Sequence, residues 1–222
     1  MPEQIGRKIL KKIYNKLFQA FGPMGWWPGE TPFEVIIGAI LTQNTSWENV
    51  EKAIHRLKTK KVLHPAGLYR KKDEELAELI KSAGYYNIKA KRIKNFMAFF
   101  QREYGKDLEK MFREDTIVLR EKLLSINGIG PETADSILLY AAEKPTFVVD
   151  AYTKRILLRH GWISSQDSYQ DIKDLFMNNL KHDVKMYNEY HALLVYLGKN
   201  FCKKKPQCEG CPLEEFSIKE WI

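Results

Sequence analysis

Residues 123–134 read LLSINGIGPETA, and the interpretation of the whole chain turns on them. Two glycines one residue apart separate two apolar helical runs, and a proline follows directly. Glycine reaches backbone angles closed to other residues, so Gly128 and Gly130 permit a tight turn. Ile129 between them can turn inward as an apolar anchor. Pro131 suits the first turn of a helix, where its missing N–H would have had no intrahelical partner. The other free N–H groups of that helix start, with the helix dipole behind them, make an anion site. An ordinary helical corner would use the same residues, so the rest of the chain must decide.

With 222 residues, 44% of them hydrophobic, the chain can form two compact domains with real cores. The formal net charge is +8 and the pI about 9.2. A basic surplus aids solubility; on a helical chain of enzyme size it also favours a polyanionic partner, nucleic acid or an acidic membrane surface. No apolar run approaches the roughly 18 residues of a membrane span. The opening MPEQIGRKILKKIYNKLF is charged and amphipathic, without the apolar region or cleavage site of a signal peptide. Three cysteines, all near the C-terminus, argue against a disulfide scaffold. The expected location is cytoplasmic, nucleoid-associated in a bacterium or archaeon, with no membrane partner.

Periodicity predicts an all-α class of about ten helices joined by short loops. Apolar residues at Ile5, Ile9, Ile13, Leu17 and Phe21 recur every four positions, so this segment is a helix. Thr31 before Pro32 is a good N-cap, with Glu34 placed as in a capping box, and a buried helix over PFEVIIGAILTQ follows. Further helices are expected from Trp47 to about Lys58 and over DEELAELIKSAG, KAKRIKNFMAFFQREYG (with a cationic face) and DTIVLREKLLSI. The last four cover Pro131–Ala142, AYTKRILLRHG, SYQDIKDLFMNNL and MYNEYHALLVYLGKNF. KPTFVVD is a short extended link, and no period-two strand occurs anywhere.

The hairpin, about 119–142, thus has the form of a helix-hairpin-helix, and on a basic protein the natural anion is a DNA phosphate. Gly128, Gly130 and Thr133 are its expected phosphate contacts. Asp150 lies 20 residues beyond Gly130, at the end of the apolar link. It can N-cap the AYTKRILL helix, and it can serve as a catalytic carboxylate.

LLSINGIGPETADSILLYA followed by PTFVVDAYTKRIL resembles the helix-hairpin-helix DNA glycosylases of the endonuclease III superfamily, which carry a Gly/Pro-rich loop and a catalytic aspartate. TPFEVIIGAILTQNTSW, SAGYYNIKAKRI and YHALLVYLGKNFCKKKPQCEGC are similar, in order, to the family's wedge loop, its GxxNxKA segment and its C-terminal metal-cluster loop. The resemblance covers nearly the whole chain. It implies two helical domains, 1–30 with 149–222 and 31–148, an active cleft between them, and a monomer that binds duplex DNA and extrudes a damaged base. It also leaves room for a monovalent cation held by hairpin carbonyls against a phosphate.

Two departures from the family refine this. Members that also cleave the strand place a lysine two residues past the second glycine, where it forms a Schiff base with the sugar. Here that position is Glu132, and a carboxylate cannot form an imine. Lys122, Lys144 and Lys154 are near, but none aligns with the slot. A monofunctional glycosylase that leaves an abasic site is expected, with Asp150 assisting water or stabilising the developing oxocarbenium charge. Glu132 is then a helix-start acid favourable to the dipole. Iron–sulfur members carry four cysteines; here only Cys202, Cys208 and Cys211 remain, and Ser217 stands where a fourth would align. No iron–sulfur cluster, no other metal and no required cofactor are expected, and Lys203, Lys204 and Lys205 beside the loop serve as phosphate contacts.

GWWPGE sets two adjacent indoles on a loop, and Trp47 follows the candidate wedge. Indole walls suit a cationic base, and purines methylated at N3 or N7 are cationic and leave readily. The resemblance is nearest to the 3-methyladenine glycosylases on the endonuclease III scaffold. It suggests Trp26, Trp27, Pro28 and Trp47 as pocket walls, Asn44 or its neighbour Gln43 as the residue that fills the vacated stack, and Tyr85 as the wedge on the opposite strand. The alternatives are a glycosylase for uracil, mismatched thymine or oxidised pyrimidines, and a noncatalytic binder of damaged DNA.

Overall fold

The computed structural model describes residues 5–27 and 29–216. Twelve α-helices lie among the described residues, with no strand. They are α1 Arg7–Phe21, α2 Pro32–Leu41, α3 Trp47–Thr59, α4 Pro65–Arg70, α5 Asp73–Leu79, α6 Tyr86–Tyr104, α7 Leu108–Phe112, α8 Thr116–Leu124, α9 Pro131–Ser136, α10 Ala151–Arg159, α11 Tyr169–Asn179 and α12 Val184–Asn200. The all-α reading holds. Two helices escape the sequence reading, α4 and α7, because six and five residues are too short to display a period.

The chain divides into two compact units, one of Met1–Trp26 with Pro145–Ile222 and one of Trp27–Lys144. The unit boundaries fall a few residues earlier than those read from sequence. The Trp27 indole packs on Trp47 and Tyr140, inside the second unit. Phe147 stacks flat on Phe176 at 3.8 Å, inside the first.

In the Trp27–Lys144 unit α2 is the central element. Every residue from Phe33 to Leu41 is buried, as expected of a helix that is apolar all round. It packs against α3, α6 and α9. Thr31 Oγ1 accepts the Glu34 N–H at 3.2 Å, as predicted, but the Glu34 carboxylate pairs with Lys58 at 2.9 Å. Half of the capping box is thus replaced by an ion pair.

α6 begins at Tyr86 rather than Lys89, because Gly84 and Tyr85, both at positive φ (67° and 46°), turn the chain sharply just before it. Downstream, α9 runs into a π-turn at Ile137–Ala141, closed by the Ala142 N–H on the Ile137 carbonyl at 3.0 Å. Ile137, Leu138, Leu139 and Ala141 are all buried there, and Tyr140 faces Trp27.

In the other unit α12 packs against α1 and α10. Leu10, Ile13 and Leu17 supply the buried stripe of α1, and the buried Tyr190 hydroxyl donates to the Leu10 carbonyl at 2.9 Å.

Candidate functional site

The hairpin is built as two turns of different kinds. Gly128 sits at φ 95°, in the left-handed region, and a Cβ there would fall 2.4 Å from Arg92 Cγ. Glycine is therefore required twice, for conformation and for the close approach of Arg92. Gly130 corrects the sequence reading. Its φ is −94°, it is the extended N-cap of α9, and a Cβ there would meet nothing within 4 Å. What glycine supplies at 130 is open space beside the helix start. Ile129 does turn inward, at 4% exposure, with Ile126 beside it.

Thr133 is also corrected. It is buried, and its Oγ1 accepts from Gln43 Nε2 at 2.7 Å, so its side chain faces the protein interior. Glu132 is exposed in the first turn of α9. A buried ion pair fixes the angle between the hairpin helices. Arg120 of α8 grips the fully buried Asp135 of α9 through Nε–Oδ1 at 2.9 Å and Nη2–Oδ2 at 3.1 Å.

The wedge candidates separate in kind. Asn44 is exposed at φ 54° and Tyr85 is 68% exposed at φ 46°. Asparagine tolerates the left-handed region, whereas for tyrosine it is a strained position, of the sort that functional tips retain. Gln43 is a correction: its Nε2 donates to Thr133 and, at 3.3 Å, to the Gly128 carbonyl, while its Oε1 accepts from Arg92. It is a tie to the hairpin, which leaves Asn44 as the projecting residue of that loop.

Trp27 and Trp47 meet edge to face at 5.0 Å, and Trp27 lies 5.0 Å from Tyr140. A cavity of about 330 Å³ opens beside them, lined also by Gly38, Glu30, Glu34, Glu51 and Lys58. Three carboxylates face one lysine, and Trp47 Nε1 donates to Glu51 Oε1 at 2.7 Å. Trp26 is half-buried and belongs to the other unit, and Pro28 lies outside the described residues.

Asp150 caps α10, its Oδ1 accepting the Thr153 N–H at 2.7 Å. Oδ2 lies 3.7 Å from Nε2 of His191, on α12. Burial pushes the His191 imidazole below its ordinary pKa, against the pull of the Asp150 charge, so a neutral ring backs the carboxylate. The Asp150 side chain itself keeps 14% exposure.

In the loop after α12, Lys203, Lys204 and Lys205 are all exposed. Arg159 donates to the carbonyl of Lys204 at 2.9 Å and to Cys202 Sγ at 3.2 Å, and Arg155 holds the Cys202 and Gly198 carbonyls at 2.8 and 2.9 Å. A four-thiolate cluster does not fit this donor set, since the chain has three cysteines. Ser217, at the fourth position, lies outside the described residues.

Sequence reasoning missed Arg92, the Arg120–Asp135 pair, Glu51 and the approach of His191 to Asp150. His191 sits within a segment compared to the family, but nothing local links it to Asp150, 41 positions earlier.

The described residues thus present two helices joined at a glycine turn with an open helix start, and a carboxylate capping a later helix. The model of the HhH-GPD superfamily, base excision DNA repair proteins, matches residues 37–182. A putative DNA repair glycosylase of Methanocaldococcus jannaschii is 50% identical over 95% of this chain and 96% of its own length. Endonuclease III of Thermotoga maritima is 32% identical over 96% and 91%. Among solved structures, H. pylori 3-methyladenine DNA glycosylase bound to 1,N6-ethenoadenine superposes with a TM-score of 0.74 at 29% identity, covering 87% of this chain and 96% of that one. The chain belongs to the HhH-GPD superfamily: it is a DNA glycosylase of the endonuclease III superfamily, a family of base excision repair. A trapped endonuclease III–DNA covalent intermediate, at 24% identity and TM-score 0.83 over 97% of each chain, shares the fold.

Proposed function

We propose that this chain is a monofunctional glycosylase. It flips alkylated purines such as 3-methyladenine out of duplex DNA, hydrolyses the N-glycosidic bond and leaves an abasic site in an uncut strand. The observation that supports the strand-sparing part is the state of the lysines near Glu132 in sequence. Lys122 pairs with the Glu114 carboxylate, Lys144 Nζ donates to the Glu114 carbonyl at 2.7 Å, and Lys154 Nζ donates to the Asp167 carbonyl at 3.1 Å. Each ammonium is engaged, and the slot itself holds a carboxylate, which cannot attack C1′ to form an imine.

The choice of base rests on the indoles. A carboxylate accepting the Trp47 N–H raises the electron density of the ring, which strengthens its attraction for a cation. The neighbouring glutamates add negative potential. A methylated purine carries the matching positive charge and leaves as a neutral base, so no strong proton donor is needed. Asp150 then assists the attacking water or stabilises positive charge on the sugar, with its solvent-facing side as the working one. The hairpin N–H groups and the Lys203–Lys205 run take the phosphates. The H. pylori relative acts on the same class of base by its name.

Base release measured by chromatography from methylated and from uracil-containing duplexes tests the substrate. Release of 3-methyladenine well above uracil is expected, and the reverse order would move the chain to the pyrimidine glycosylases. Borohydride trapping tests the strand-sparing part, where a covalent protein–DNA adduct would reveal an acting lysine.

A further inference from the structure

α6 carries three polar side chains spaced three residues apart, on neighbouring turns of one face: Lys89, Arg92 and Asn95. Lys89 is 1% exposed, and its Nζ donates to the carbonyls of Leu41 at 2.9 Å and Ala83 at 2.6 Å. Those carbonyls close α2 and the 3-10 turn at Lys81–Ala83, the two elements that run directly into the Asn44 and Tyr85 loops. A buried cation is tolerated there because it meets the negative ends of two helical elements. Burial, with the Arg92 charge adding to it, still lowers the ammonium to about 8.

One turn on, Arg92 donates to Gln43 Oε1, and the Gln43 amide passes the connection to Thr133 Oγ1 and the Gly128 carbonyl. A further turn on, Asn95 Nδ2 donates to the Asn127 carbonyl at 2.9 Å. In order along one helix face, these side chains hold both exposed tips and then the hairpin. The missing Cβ of Gly128 is what lets Arg92 lie against the turn.

We propose that Arg92, acting through Gln43, is a positioning residue that sets the spacing between the phosphate grip and the side chains entering the base stack. Gripping a phosphate and opening the duplex then occur in one register, without either residue touching DNA. This rests on the hairpin being the phosphate grip and on Asn44 and Tyr85 being the inserted residues.

The test compares unstacking, binding and chemistry in Arg92→Ala, Arg92→Lys, Gln43→Ala and the Arg92→Ala/Gln43→Ala double variant of the full chain. Unstacking is read by stopped-flow fluorescence of 2-aminopurine beside the lesion. Binding uses duplexes carrying a tetrahydrofuran abasic analogue, from which no base has to be extruded. Arg92→Ala is expected to slow unstacking and single-turnover base release about tenfold each, since misplacement of order 1 Å costs up to about a hundredfold. Affinity for the tetrahydrofuran duplex should stay within about twofold. Arg92→Lys, which keeps a donor, should recover part of the rate. The double variant should be no slower than the worse single one, because the two residues act through one path.

Equal losses in all three readouts, or additive losses in the double variant, would overturn the proposal in favour of a general packing role; so would unchanged unstacking in Arg92→Ala. Asn44→Ala and Tyr85→Ala separate the two layers. If neither alters unstacking, the wedge reading beneath the proposal is wrong. If they slow it and Arg92→Ala does not, only the positioning role falls.

Discussion

The two compact units fix their functional residues by opposite means. In the Trp27–Lys144 unit the hairpin and the Asn44 loop are held by side chains arriving from far along the chain: Gln43 reaches Thr133, Arg92 reaches Gln43, and Asn95 reaches Asn127. In the other unit Asp150 is held by the helix it begins, through the Thr153 N–H, and His191 comes to it from a distance. A grip on an extended duplex needs several points kept at set distances, and only tertiary bonds can do that. A single carboxylate needs one orientation, and a helix cap supplies it locally.

If that contrast holds, damage to the ion pair between the hairpin helices should appear as lost stability, damage to the Arg92 tie as slowed unstacking, and damage to the cap residue as lost chemistry. The largest effect is expected from Arg120→Ala. It takes the guanidinium away from the fully buried Asp135 carboxyl, and should destabilise the protein by about 3–5 kcal/mol in denaturant unfolding. Adding Asp135→Leu should recover much of that loss, since an apolar pair then replaces the broken ion pair.

Asp150→Asn should lower single-turnover base release by about a hundred- to a thousandfold, or roughly 2.7–4 kcal/mol. Asparagine caps a helix about as well as aspartate, so the melting temperature and the affinity for abasic-site duplexes should barely move. Undiminished release in this variant would remove Asp150 from the mechanism.

The two hairpin glycines give a sharper contrast. Gly128→Ala, at φ 95° and against Arg92, should cost about 2 kcal/mol by thermal unfolding. Gly130→Ala, at an ordinary φ with open space before it, should stay within about 0.5 kcal/mol. Its effect should instead be weaker DNA binding, as the methyl group stands where a phosphate would approach. The smallest effect is expected from replacing Lys203, Lys204 and Lys205 by alanine. The slope of log affinity against log salt should become shallower by about one for each phosphate that is no longer neutralised, with no change in lesion preference.

The same contrast explains what the sequence could and could not reveal. Caps are local chemistry, so Thr31 and Asp150 are legible as helix starts from their neighbours alone, and both cap as expected. The Gly128 turn and the inward Ile129 are legible for the same reason. Gln43 and Thr133 are each read as DNA contacts from position, and each proves to be the other's partner across 90 residues. No periodicity reports such a pairing. The second role of Gly128, as the gap that admits Arg92, is hidden likewise, and Gly130 is misread because its glycine answers to space and not to backbone angle.

The π-turn at Ile137–Ala141 has a consequence for how this fold can vary. An α-helix advances about 100° per residue, so a helix with one surplus residue changes phase at that point. Ahead of the turn, Thr133 and Asp135 are in phase with Gln43 and Arg120; within it, Tyr140 is in phase with Trp27. Removing the surplus residue would restore a regular helix that can satisfy one set of partners only. The hairpin and the aromatic cluster are thus joined by a splice, and either end can be retuned without detuning the other.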